Sequence, residues 1–178
     1  MKPVRFFLLL LAAICCTPLV SCVSISYPQP SGSELELGRT LVPPKDQGLV
    51  VVYRKPSASI TTRKIPTAVW VDGKPHGANH AGTFVVVPVS KGRHVVRMFR
   101  DPSSARANSG HELHVAVGKC YFIRQSVETK VDKVIFVPTP APVPRIEVDS
   151  TPVSEETGRA DVSKCKQLGG NGMIKRRG

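Results

Sequence analysis

The chain has 178 residues, with 25 lysines and arginines against 13 aspartates and glutamates, a formal charge of +12 at pH 7. That length carries one domain with a modest core. The basic residues are scattered beside turns (Arg54, Lys55, Arg63, Lys64, Lys74, Lys91, Arg93), and no basic stripe interleaved with aromatics appears, so a nucleic-acid partner is not expected; a solvated face fits better, or weak attraction to anionic lipid head groups or glycans.

The chain opens "MKPVRFFLLLLAAICCTPLVSC". Lys2 and Arg5 precede an unbroken apolar run from Phe6 to Ile14. A helix crossing a bilayer needs roughly 20 apolar residues, so this short run reads as an export signal. Its exit, Leu19-Val20-Ser21-Cys22, resembles the lipobox of bacterial lipoproteins. The resemblance implies cleavage between Ser21 and Cys22 by a type II signal peptidase, with a diacylglyceryl thioether and an acylated amine on Cys22. Val23 is not the aspartate that marks inner-membrane retention, so the expected place is the outer membrane, facing the periplasm. Residues 1–21 are then the signal peptide, and the mature chain carries 23 basic against 13 acidic residues, or +10.

Residues 22–47 mix proline, serine and glycine without periodicity and read as a lipidated N-terminus and flexible tether. From Gly48 the texture changes to short branched runs: "LVVVYR", "TAVWV" closed by Asp72-Gly73, "TFVVVPV", "RHVVRMF" after Gly92, "HELHVAV", then "CYFIRQSV" after Gly118-Lys119, and "KVIFV". Such runs, punctuated by glycine and proline, predict a mainly β chain: a small antiparallel β-sandwich or open barrel over 48–168. "PTPAPVP" reads as a stiff extended connector. One short C-terminal helix is expected, with Ser154 as N-cap, Glu155 and Glu156 in its first turn and Gly169 past its end. Residues 169–178 form a basic tail.

Three features in order, V-W-V-D-G (69–73), G-R-H (92–94) and G-K-C-Y (118–121), behind an opening V-Y-R strand, resemble a domain-of-unknown-function family of small bacterial lipoproteins similar in pattern to PEGA domains. The resemblance implies a β-sandwich-like envelope module with no assigned reaction. The segment "KPHGANHAG" lacks the threonine-proline or proline-glycine step that PEGA hairpins carry. Gly73 supplies the positive φ of a tight turn and Asp72 is expected to bond its own turn backbone, with Gly92 and Gly118 as further structural turns. Trp70 reads as sheet cover.

Catalytic signatures are weak. His111 and His114 lie three apart on a strand and so point to opposite faces, unlike the helical pair of zinc peptidases. His76 and His80 share one loop, and His94 stands apart. No metal or cofactor is expected. Cys120 and Cys165 are the spare thiols after Cys22, and a disulfide between them is an open alternative to two small buried side chains. The leading functional reading is a non-enzymatic, lipid-anchored binding or scaffolding module, attached to the membrane by its lipid and meeting another envelope protein. The alternative is a basic adhesive module for anionic glycan or lipid head groups, and an envelope hydrolase comes last.

Overall fold

Five consecutive apolar residues, Leu49 to Tyr53, give a strand that is apolar on both faces and needs cover on both. The computed structural model describes residues 28–100, 110–137 and 139–167, with the backbone alone for 136, 137 and 139–144. In it this run forms β1 (Gln47–Arg54), at the centre of a five-stranded sheet ordered β8-β7-β1-β4-β9. The partners are β4 (Thr83–Ser90), β7 (Cys120–Val137), β8 (Thr139–Val153) and β9 (Lys166–Gln167). A four-stranded sheet, ordered β3-β2-β5-β6, packs against it, built from β2 (Thr67–Val71), β3 (Lys74–Asn79), β5 (Gly92–Phe99) and β6 (His111–Val115). The expected β-sandwich is therefore the fold, with two packed sheets and no closed barrel.

Alternation along the strands divides the core in two. Val50, Val52, Val85, Val87, Val89 and Ile123 face the second sheet, meeting Val69, Val71, Val96, Met98 and Val115. Their neighbours Leu49, Val51, Tyr53, Phe84, Val86 and Phe122 point the other way. That outer face is covered by α1 (Gly32–Thr40) and α3 (Glu155–Val162), through Leu37, Leu41 and Val162. All five residues of the run are fully buried, each contributing about 1.5–3 kcal/mol.

Several elements differ from the sequence expectations. Pairing is mostly antiparallel, but β1 runs parallel to β7 and β4 parallel to β9. Part of the expected tether is α1, closed by a capping box in which Ser31 and Glu34 bond each other's backbone, and Gln167 Nε2 donates to Glu34 O at 2.7 Å. Residues 139–144 of the proline-rich connector belong to strand β8, paired with β7 from Phe122↔Val153 to Val137↔Thr139. Prolines 140, 142 and 144 alternate along it, so they occupy the positions whose backbone nitrogens face away from β7, where no ladder bond is lost. The two separate runs "CYFIRQSV" and "KVIFV" form one long strand, β7. "KPHGAN" is β3, placing His76 on a strand. A second short helix, α2 (Ile60–Arg63), precedes β2. The C-terminal helix starts as expected at Ser154, whose side chain accepts from the Thr157 N–H, and ends at Ser163. Gly169, the tail and the signal peptide with Cys22 lie outside the described residues.

α3 sits so close to β7 that Gly158 has no room for a side chain: an added Cβ would lie 2.1 Å from the Phe122 Cγ and 2.5 Å from its Cβ. Gly158→Ala should therefore lower the thermal midpoint, since overpacking costs about 1–3 kcal/mol and outweighs a helix-propensity gain of about 1 kcal/mol. Gly32→Ala, with nothing within 4 Å of the new Cβ, should leave the midpoint unchanged or raise it. Midpoints moving together would show that helix propensity, not contact with Phe122, governs α3.

Candidate functional site

The motif residues meet each other in the structure. Asp72 and Gly73 form the turn between β2 and β3, with φ of 51° and 77°. Asp72 does not bond its own turn. Its Oδ1 accepts from the Val95 N–H at 2.9 Å and its Oδ2 pairs with His94 Nδ1 at 2.7 Å. The other nitrogen of His94, Nε2, lies 2.8 Å from the Ser90 carbonyl. A carboxylate and a carbonyl both only accept, so the ring donates at both ends as an imidazolium. The V-D-G and G-x-H segments are thus one clamp joining the β2–β3 turn to β5 behind Gly92, which enters that strand with φ 139°.

A second clamp follows Gly118, whose φ is 72°. The Tyr121 hydroxyl donates to the His114 carbonyl at 3.0 Å and accepts from the Ala116 N–H at 2.9 Å, tying the end of β6 to β7. A third uses the opening strand. Buried Tyr53 donates to Asp161 Oδ2 at 2.7 Å, and Lys55 Nζ reaches Asp161 Oδ1 at 2.9 Å, fixing α3 to β1. Burial, then the bond to Asp161, pushes the Tyr53 phenol well above its ordinary value, so it stays neutral.

The histidines and thiols are dispersed. His111 faces inward with its Nε2 at 2.7 Å from Ser150 Oγ, while His114 is exposed, so the two point to opposite faces as expected. Desolvation holds His76 and His80 below the usual histidine range, and His80 Nδ1 rests 3.2 Å from the Lys64 carbonyl. Among the described residues no group of three or more His, Cys, Asp or Glu is placed to hold a metal. Cys120 and Cys165 are both free thiols against the helix-covered face, donating to the Leu41 carbonyl and the Arg54 carbonyl. Burial pushes both thiols up, which suppresses the thiolate that nucleophilic chemistry needs. Trp70 lies over Phe99 with ring centroids 5.3 Å apart, as sheet cover.

One region of polar side chains is not absorbed by these clamps. Arg54 is buried, and its Nη1 and Nη2 donate to the carbonyls of Ile65 and Thr62. No described carboxylate forms an ion pair with it among those within 4 Å, and desolvation pulls its pKa down. Around the same end of the interior, Thr67 Oγ1 and both amide atoms of Asn79 and of Gln125 have no hydrogen-bond partner. An unsatisfied buried polar group costs about 1–3 kcal/mol. The signal for these residues was in the sequence as polar residues in phase with inward apolar ones (Gln125 with Ile123, Thr67 with Val69), but nothing there indicated that they would be brought together.

The His94–Asp72 clamp has a definite pH dependence. The bond to Asp72 raises the His94 pKa above its ordinary 6.5, against desolvation. Desolvation pushes the Asp72 carboxyl up, but the Val95 N–H and His94 outweigh it and hold the group below its ordinary 3.8. The histidine contribution is therefore complete below about pH 6.5 and is lost as pH rises through the raised folded value. The aspartate contribution is present above its unfolded value and is lost as pH falls through the lower folded one. The denaturation midpoint of the wild type should fall as pH rises from 6.5, and His94→Gln should be less stable at pH 6 with that part of the slope removed. Equal slopes in the two proteins would refute the clamp's ionised form.

No described helix is long and apolar enough to cross a membrane. No curated protein and no solved structure matches the chain. Residues 44–138, more than half of the chain and the part that holds Tyr53, Arg54, the Asp72–His94 clamp and Tyr121, match the family described as "Protein of unknown function (DUF2846)", and the chain belongs to that family.

Proposed function

We propose that this protein is a lipid-anchored component of a bacterial cell envelope, a PEGA-like module that binds or scaffolds and performs no reaction. The observation that carries the reading is Leu19-Val20-Ser21-Cys22 at the exit of a short apolar run behind Lys2 and Arg5. Two acyl chains hold a protein at a membrane where one does not, at about 0.8 kcal/mol per buried methylene. The non-enzymatic part is supported by the motif residues Asp72, His94 and Tyr121, whose polar atoms are engaged in holding turns and strands. Val23 after the cysteine supports the outer membrane, with the domain in the periplasm.

The folded part already includes Pro28, whose carbonyl lies against Gly77 of β3, and α1 from Gly32, so it begins only six positions after Cys22. An anchor on Cys22 would therefore hold the domain against the membrane surface, closer than a free segment to residue 47 would. The outer half of the β7–β8 hairpin carries exposed Val131, Val134 and Ile135, and we assign contact with another envelope protein to this arm. The mature charge of +10 favours a second reading, adhesion to anionic glycan or lipid head groups, which would weaken steeply with salt.

Intact mass of the protein from its native envelope, beside Cys22→Ala, tests the anchor. The expected wild-type chain begins at Cys22 and carries the mass of a diacylglyceryl group plus an acyl chain, both absent in the variant. A native chain starting elsewhere, or without lipid, would overturn the reading.

A further inference from the structure

The interior between the two sheets is apolar at one end, around Val89, Val96 and Val115, and polar at the other. Strand phase places four polar side chains in that second end. Arg54 is in phase with Val50 and Val52, Gln125 with Ile123, and Thr67 with Val69 and Val71, all of which face the space between the sheets. Asn79 is the direct cross-strand partner of Thr67, and Gln125 is the partner of Arg54. Arg54 also reaches across to Thr62 and Ile65, just ahead of Thr67, so the two pairs belong to the same end of the sandwich. All four residues are at most 3 % exposed.

Two independent shortages meet there. The guanidinium is a buried cation with no carboxylate paired to it among the described residues, and two of its five N–H donors are occupied by carbonyls. At the same end, Thr67 Oγ1, Asn79 Nδ2 and Oδ1, and Gln125 Nε2 and Oε1 are unpartnered. Buried polar atoms in native proteins are satisfied by protein, water or ligand in the great majority of cases. Five orphan atoms in three residues at the same end of the interior as an unbalanced charge point to an occupant.

We propose that this end of the interior is a binding site for a small carboxylate. One negative charge balances Arg54, and the carboxylate oxygens accept from the free guanidinium N–H groups, from Asn79 Nδ2, from Gln125 Nε2 and from the Thr67 hydroxyl. The two amide oxygens, which need donors, take them from water enclosed with the anion. A monoanion fits better than a phosphate because a single uncompensated cation faces the site. The inference is independent of the lipid anchor.

The test is thermal unfolding of the purified full chain in a carboxylate-free buffer, titrated with sodium acetate or with sodium chloride at equal ionic strength. Acetate should raise the wild-type midpoint by several degrees where chloride does not. Gln125→Leu, close in size but without the amide, should abolish the acetate-specific rise, and Thr67→Val, which keeps the volume, should weaken it and serves where the leucine variant fails to fold. Without acetate, an amide that is left orphaned predicts a Gln125→Leu midpoint at or above that of the wild type. No acetate-specific rise in the wild type would overturn the proposal, as would a rise undiminished in both variants. A Gln125→Leu midpoint well below wild type with no acetate effect would also overturn it, since the amide would then be satisfied by water alone.

Discussion

The requirement that β1 be covered on both faces organises this molecule. A strand whose residues 49–53 are all apolar cannot sit at the surface of a two-layer protein with one face wet. The even-numbered valines are met by the second sheet, and the odd-numbered side chains are met by α1 and α3. The helices therefore complete the core, and the chain on either side of the sandwich must return to the same sheet to supply them. The parallel pairing of β1 with β7 follows from the same demand: it brings a second strand with Phe122 outward and Ile123 inward, extending both halves of the core at once.

Given that core, the polar motif residues act at its boundaries. Asp72 with His94, Tyr121 with the end of β6, and Tyr53 with Asp161 each tie a turn or helix to a strand that hydrophobic burial alone would leave free to slide. Burial is non-directional, whereas register must be specified. The hydrogen bonds of the three clamps fix which residue faces which. The same segments that carry the family resemblance in the sequence are thus explained by folding, and their polar atoms have partners inside the domain.

How much of this was legible follows the physics of each segment. Branched runs bounded by glycine gave β1, β2, β4, β5 and β6 nearly to the residue, because burial and β-propensity agree there. α1 was hidden because the surrounding prolines and serines suggested free chain, although Ser31-Gly32-Ser33-Glu34 is a capping-box pattern. β8 was hidden by its prolines, since proline normally argues against a strand and only alternation on an edge rescues it. Two of the three clamps needed contacts 22 or 108 residues apart in sequence, which no local pattern encodes, whereas Tyr121 reaches back only to His114 and Ala116. The polar end of the interior was the least visible feature: Gln125 and Thr67 are ordinary residues in their strands, and only the meeting of two sheets makes them neighbours.

The β7–β8 arm shows how the edges of such a sheet are kept from unwanted pairing. An edge strand offers unpaired N–H and C=O groups to any extended chain. Prolines 140, 142 and 144 remove the outward donors from this stretch of β8, and β9, at the other edge of the sheet, is two residues long. Two-stranded ribbons are marginal by themselves, and this one places like charges opposite each other, Glu128 facing Glu147 and Lys130 facing Arg145. The diagonal contact of Lys130 Nζ with Glu147 Oε2, at 2.6 Å, relieves both rungs, and Arg145 lies 3.8 Å from Asp132 where the bulge occurs. The fixed φ of proline also lowers the entropy that the unpaired chain would gain. An arm held in this way offers an extended chain few backbone donors along this stretch; under the proposed function, contact would run through the exposed Val131, Val134 and Ile135 and the surrounding charges rather than through an added strand.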